Sequence, residues 1–76
     1  MDIFYGASLD DVRYGQQDQN VKVLQALLNG AGYDCGKCDG IYGPKTRTAL
    51  LEFKKARSLP ANDLVNIEVW NKLFNF

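Results

Sequence analysis

The chain has 76 residues, enough for one small domain and too few for two separate hydrophobic cores. Nine Lys and Arg balance nine Asp and Glu, so there is no basic excess to release counterions from a phosphate backbone, and nucleic acid is not an expected partner. Histidine is absent, which removes the commonest general base and metal ligand together with histidine triads and histidine-based zinc or iron sites; no cofactor is expected.

Along the chain, Met1 to Gly6 carries no basic n-region and no apolar run of signal-peptide length. Nowhere do about 18 apolar residues follow one another, so no membrane span is expected. The first helix is predicted to open at Asp18, whose carboxylate suits the orphan amides of a first turn. It then runs Val21, Leu24, Leu27 and Leu28 along one face and ends at Gly30 and Gly32. A loop rich in Gly and Asp follows from about Ala31 to Tyr42.

Gly43-Pro44 opens a second helix, with Pro at a first position where its missing amide costs nothing. Thr46, Ala49, Leu50 and Phe53 form its apolar stripe, while Lys45, Arg47, Glu52, Lys54 and Lys55 are expected on the wet side. After a turn around Pro60, a third helix is predicted from Asn66 as N-cap, burying Val69, Trp70 and Leu73, and Phe74 and Phe76 close the chain. No stretch alternates long enough to read as a strand, so the class is all-α, a three-helix bundle-like domain with structured loops. A weak internal echo aligns Asp39–Leu50 with Asn62–Leu73: a turn, an apolar pair, a cap and a first helical turn, twice.

The loop carries a single C-x-x-C, Cys35 and Cys38. Zinc would need four ligands, and only carboxylates such as Asp34 and Asp39 are at hand. A catalytic redox pair would sit at a helix N-terminus, and this one sits in a glycine-rich loop. The readings that stay open are a disulfide that staples the loop and a pair of inert thiols.

Taken in order, Val12-Arg13-Tyr14-Gly15, Val21 to Leu28, Gly32-Tyr33-Asp34, Asp39-Gly40-Ile41-Tyr42-Gly43-Pro44-Lys45-Thr46 and Trp70 to Leu73 resemble the small three-helix peptidoglycan-binding domain found beside bacterial and phage cell-wall hydrolases such as endolysins. The resemblance covers about residues 12 to 73. The chain departs from the family pattern at Asp18, where Gly is common, and at Asn62 to Asn66, where a second D-G-x-x-G is common; both swaps keep a capping role. Residues 1 to 11 fall outside it as an N-terminal arm, with Ile3, Phe4, Tyr5 and Leu9 as its apolar contacts, and 12–76 form the domain.

The resemblance implies a noncatalytic module that binds bacterial peptidoglycan through its stem peptide and holds a fused or associated wall hydrolase on the polymer. It implies a location at the cell wall, in the periplasm or on a virion. The ligand groove is expected at the loop and the start of the second helix, from Tyr33, Asp34, Asp39, Gly40, Tyr42, Lys45 and Thr46: backbone donors, a cation and an aromatic wall for a peptide carboxylate. Tyr42 is read equally well as a core wall, and Trp70 as core. Two alternatives remain. One is a protein-interaction or virion structural module using the N-terminal arm. The other is an enzyme pairing carboxylates among Asp34, Asp39, Glu52 and Asp63, for which so small a domain offers little cleft.

Overall fold

The computed structural model describes residues 11–74; the expected arm contacts Ile3, Phe4, Tyr5 and Leu9, and also Phe76, lie outside them. Asp18 has extended backbone and its Oδ1 accepts the Val21 N–H at 3.1 Å, which starts helix α1 (Gln19–Gly30). The carboxylate thus satisfies an amide that a helix start leaves without a partner. Val21, Leu24 and Leu28 are buried on one face, and so is Gln25. The helix stops because Gly32 takes φ +95°: its N–H donates to Asn29 O at 3.1 Å and the Tyr33 N–H donates to Leu28 O at 2.8 Å. That pair of bonds is the Schellman ending, which needs a left-handed residue.

Helix α2 (Pro44–Ala56) buries Thr46, Ala49, Leu50 and Phe53. It closes in the same way as α1, with Ser58 at φ +59°, Ser58 N–H to Lys55 O at 3.3 Å and Leu59 N–H to Lys54 O at 2.8 Å. Helix α3 (Ile67–Phe74) is capped by Asn66, whose Oδ1 accepts the Val69 N–H at 3.1 Å. Its buried face is Val69, Trp70 and Leu73, so Trp70 is core. These residues join Val12, Val21, Leu24, Leu28, Tyr42 and Val65 in one cluster between the helices.

The segment before α1 ties both loops to the bundle. Val12 and Val65 exchange N–H···O bonds of 2.8 and 2.9 Å. A few residues on, Gly15 N–H donates to Tyr42 O at 3.0 Å, Tyr42 N–H to Gln16 O at 3.0 Å and Asp18 N–H to Gly40 O at 3.1 Å. Each contact is an isolated antiparallel bridge, too short to be a strand, and the described residues are all-α as expected. The internal echo is therefore structural: Tyr42 and Val65 occupy equivalent places, each pairing with the N-terminal segment just before a helix.

One expected surface residue is in the core. Lys54 is 1% exposed, because its stem lies along the buried stripe and its ammonium turns back into the 57–66 loop. There it donates to Asn62 O at 2.8 Å, Asn62 Oδ1 at 2.7 Å and Leu64 O. A buried ammonium survives only with its protons used, and burial lowers its pKa below the ordinary lysine value.

Candidate functional site

Gln25 organises the loop between α1 and α2. It sits on the apolar stripe of α1, one residue past Leu24, and is 1% exposed, so its amide must find partners. Its Oε1 accepts the Gly40 N–H at 2.9 Å. Its Nε2 lies 3.0 Å from Asp39 Oδ1, 3.1 Å from Ile41 O and 3.0 Å from Thr46 Oγ1. One side chain thereby fixes the end of the loop and the first turn of α2 relative to α1. Asp39 Oδ1 also accepts the Ile41 N–H at 2.9 Å. That backbone bond, followed by the one from Gln25, holds the Asp39 carboxyl below the ordinary aspartate value, so an exposed carboxylate stays charged at the rim.

Two open depressions flank this ridge and share Asp39 and Ile41. The first, about 370 Å³, lies at the N-terminus of α2, with Gln25, Cys35 and Thr46 below and Gly36, Lys37, Gly43 and Lys45 around it. The second, about 360 Å³, lies toward the start of α1, between Asp18, Lys22 and Gly40 with Gln17 and Gln19 beside them. A glycine backs each of two lysine stems. A Cβ on Gly36, at φ +80°, would stand 3.3 Å from Lys45 Cδ, and one on Gly40, at φ +79°, would stand 3.2 Å from Lys22 Cγ and from Asp18 O. Positive φ and close approach together explain both glycines.

Among the residues the resemblance implied, Asp39, Gly40, Lys45 and Thr46 line these depressions; Tyr33, Asp34 and Tyr42 line neither. Tyr42 is 1% exposed, so of its two readings the core wall is the one realised. Its ring meets Tyr14 edge-on at 5.6 Å and its hydroxyl donates to Asp63 O at 2.6 Å; burial raises its pKa. Tyr33 packs edge-on against Phe53 at 5.6 Å, and Asp34 turns the loop by accepting the Gly36 N–H at 2.8 Å. Of the carboxylates weighed as an acid–base pair, Asp34 and Asp39 accept backbone N–H groups of their own loop and Asp63 meets Arg47 Nε at 3.2 Å; Arg47 also lies over the Tyr14 ring. In this structure the cysteines stand as two thiols, Cys35 buried and Cys38 exposed. The loop is held by Asn29, which reaches across from α1 to Cys35 and Gly36.

Sequence reading missed Gln25, Gly36, Lys37 and Ile41 as groove residues. The one available signal was an amide inside the Val21, Leu24, Leu28 stripe, which a helix tolerates only when something is hydrogen-bonded to it.

The sequence profile of the peptidoglycan binding domain matches residues 17–73. The chain belongs to that family. Its fold is shared with solved members. The SleB N-terminal domain superposes with a TM-score of 0.85 at 29% identity, over 90% of this chain and 93% of that one. A peptidoglycan-binding protein from Clostridioides difficile, solved in complex with glutamine hydroxamate, gives 0.81 at 31% identity over 86% of this chain and 40% of that one. The endolysin of Burkholderia phage AP3 gives 0.79 at 31% identity, over 84% and 24%. In sequence the chain is also similar to the type VI secretion system spike protein VgrG3 of Vibrio cholerae, 44% identical over 46 residues, 58% of this chain and 4% of that protein. The chain thus spans a small part of this curated relative. No helix among the described residues is long and apolar enough to cross a membrane, and no group of three or more potential metal-ligating side chains occurs among them.

Proposed function

We propose that this peptidoglycan-binding domain is a noncatalytic anchor that takes the carboxylate-bearing stem peptide of the bacterial wall in the groove before α2 and holds a fused or associated hydrolase on the polymer. The observation that carries this reading is the start of α2. Asp18 caps α1 and Asn66 caps α3, whereas Gly43 gives α2 no side-chain cap. Its first-turn amides and dipole stay available to an anion, with Lys37 and Lys45 on the same groove and Thr46 Oγ1 below. The charged Asp39 at the rim suits the amide and ammonium groups of a peptide that arrives carboxylate first. A groove this open suits one strand of a polymer presented many times over, where affinity per site is modest and tethering multiplies it.

The test is cosedimentation of the purified chain with insoluble sacculi, competed by soluble stem peptide. Lys37→Ala with Lys45→Ala is the informative variant, because both side chains are exposed and their loss leaves the core intact. Retention lost in this variant and competed in the wild type is the expected result. Retention that resists stem peptide sinks the stem-peptide reading. The likeness to a secretion spike protein and a phage endolysin favours a second reading, a module carried within a larger wall-crossing assembly; it predicts an equally folded chain that does not sediment with sacculi.

A further inference from the structure

The two thiols of the loop share one hydrogen-bonding side chain. Asn29, at the last turn of α1, accepts the Cys35 N–H on Oδ1 at 2.8 Å, and the same oxygen lies 3.4 Å from Cys35 Sγ. Its Nδ2 donates to Gly36 O at 3.0 Å and to Cys38 Sγ at 3.6 Å. One carboxamide therefore holds both sulfurs, one at each end. Cys35 is 3% exposed and also donates to Gln25 O at 3.3 Å, while Cys38 is open to solvent. Cys35, Gly36 and Lys37 form one wall of the groove, and Gly36 packs under the Lys45 stem.

We propose that Cys35 and Cys38 are a thiol–disulfide exchange pair, poised by the Asn29 carboxamide, whose oxidation by a small-molecule disulfide such as glutathione disulfide reshapes the Cys35–Lys37 wall and weakens the groove. The exchange stands on the thiols alone; the weakening rests on the anchoring role proposed above. Exposure sets the order of events. The Cys38 thiol gives its proton to solvent and its sulfur attacks glutathione disulfide, forming a mixed disulfide and releasing one glutathione thiolate, which takes up a proton. Cys35 then leaves Gln25 O and the Asn29 amide, gives up its proton and attacks the Cys38 sulfur, releasing the second glutathione. Two protein thiols have lost two electrons and one disulfide has become two thiols. Burial raises the Cys35 thiol to about 11, which makes it a poor first attacker and leaves that step to the exposed Cys38. In the second step the mixed disulfide three residues away offsets the small thiolate fraction by proximity. Closing so short a ring draws both sulfurs off the one amide that separates them. Gly36 and Lys37 have to move with the ring, and Lys45 with Gly36.

Full chain equilibrated across glutathione buffers, quenched in acid and alkylated, is weighed by mass spectrometry. The wild type is expected to lose both thiols in one two-electron transition. Cys35→Ser is expected to stop at a glutathione adduct on Cys38, and Cys38→Ser to leave Cys35 unmodified. Asn29→Ala is expected to reach half-oxidation at about fivefold lower glutathione disulfide, the size of one lost hydrogen bond. Asn29→Asp, which keeps the acceptor for the Cys35 N–H and loses the donor to Cys38, moves the same way. A wild type that stays reduced at the most oxidising ratio, an adduct on Cys35 in Cys38→Ser, or unshifted Asn29 variants each overturn the pair. Sacculus retention of the oxidised chain is expected to fall about threefold and to return with dithiothreitol; equal retention overturns the gating. Retention of neither form overturns the anchoring and the gating together, and the exchange pair still stands or falls on the masses.

Discussion

The loops 31–43 and 57–66 are built on one plan and put to different ends. Each leaves a helix through a Schellman turn and pairs with the segment before α1 at Tyr42 or Val65 before entering the next helix. Each is pinned by one buried polar side chain from the helix it leaves, Gln25 in the first and Lys54 in the second. The second loop is closed: the Lys54 ammonium uses its carbonyls, Asn66 caps the next helix, and Asp63 serves Arg47 and Tyr42 at once. The first is fastened from below by a neutral amide. The next helix is left uncapped, and Lys37, Asp39 and Lys45 stay at the rim. The same device stabilises one end of the bundle and presents a groove at the other.

Removing each pin separates the two roles, and the largest effect is expected from Lys54→Met. It keeps the stem but leaves buried carbonyls without donors, and should lower unfolding free energy by about 3 kcal/mol in urea denaturation while leaving sacculus retention of the folded fraction unchanged. Gln25→Leu should cost about 2 kcal/mol and, unlike the first change, release the groove, so that retention falls more than stability accounts for. Gln25→Glu sharpens this further. It keeps an acceptor for the Gly40 N–H but sets a second carboxylate beside Asp39, so its melting temperature should recover as pH is lowered from neutrality toward the carboxylate range.

Alkaline titration probes the thiol and phenol that the core keeps neutral. In the fold Cys35 is raised from 9.0 to about 11 and Tyr42 is raised above 10.0, so both contribute stability that is whole below pH 9 and is lost as pH climbs through the folded values. Lys54 runs the opposite way, its lowered pKa favouring the fold as pH approaches the ordinary lysine value of 10.5. Cys35→Ala should therefore flatten the first part of the stability decline above pH 9, measured by urea midpoints at stepped pH. The smallest effect compares the helix ends: Gly32→Ala should cost about 1 kcal/mol and Ser58→Gly should gain up to about 1 kcal/mol, since both positions are left-handed and only one holds the residue suited to it.

Much of the frame was legible because helix starts and stops are local. Asp18, Pro44 and Asn66 open the helices as their side chains dictate, Gly32 ends the first, and the expected stripes of α2 and α3 are buried as spaced, as is that of α1 apart from the half-buried Leu27. The site was legible only in part. Asp39, Gly40, Lys45 and Thr46, singled out through the motif that carries them, line the two depressions, but Tyr42, in the same motif, points inward to Asp63 O. Lys54 read as a surface cation because its type is rarely buried, and nothing in its own helix reveals the carbonyls of a loop eight to ten residues away.

By itself the sequence determined three helices, their caps and an all-α core around Trp70, since each follows from neighbours a few residues apart, and its motifs in order from residue 12 to 73 carried the resemblance to the peptidoglycan-binding family. Tertiary structure decided which polar side chains go inside. Gln25 reaches Gly40, Ile41 and Thr46, and Asn29 reaches both cysteines, only once α1 is laid against the loop. Whether a buried amide or ammonium costs or contributes stability depends on partners that the fold alone brings within hydrogen-bonding distance.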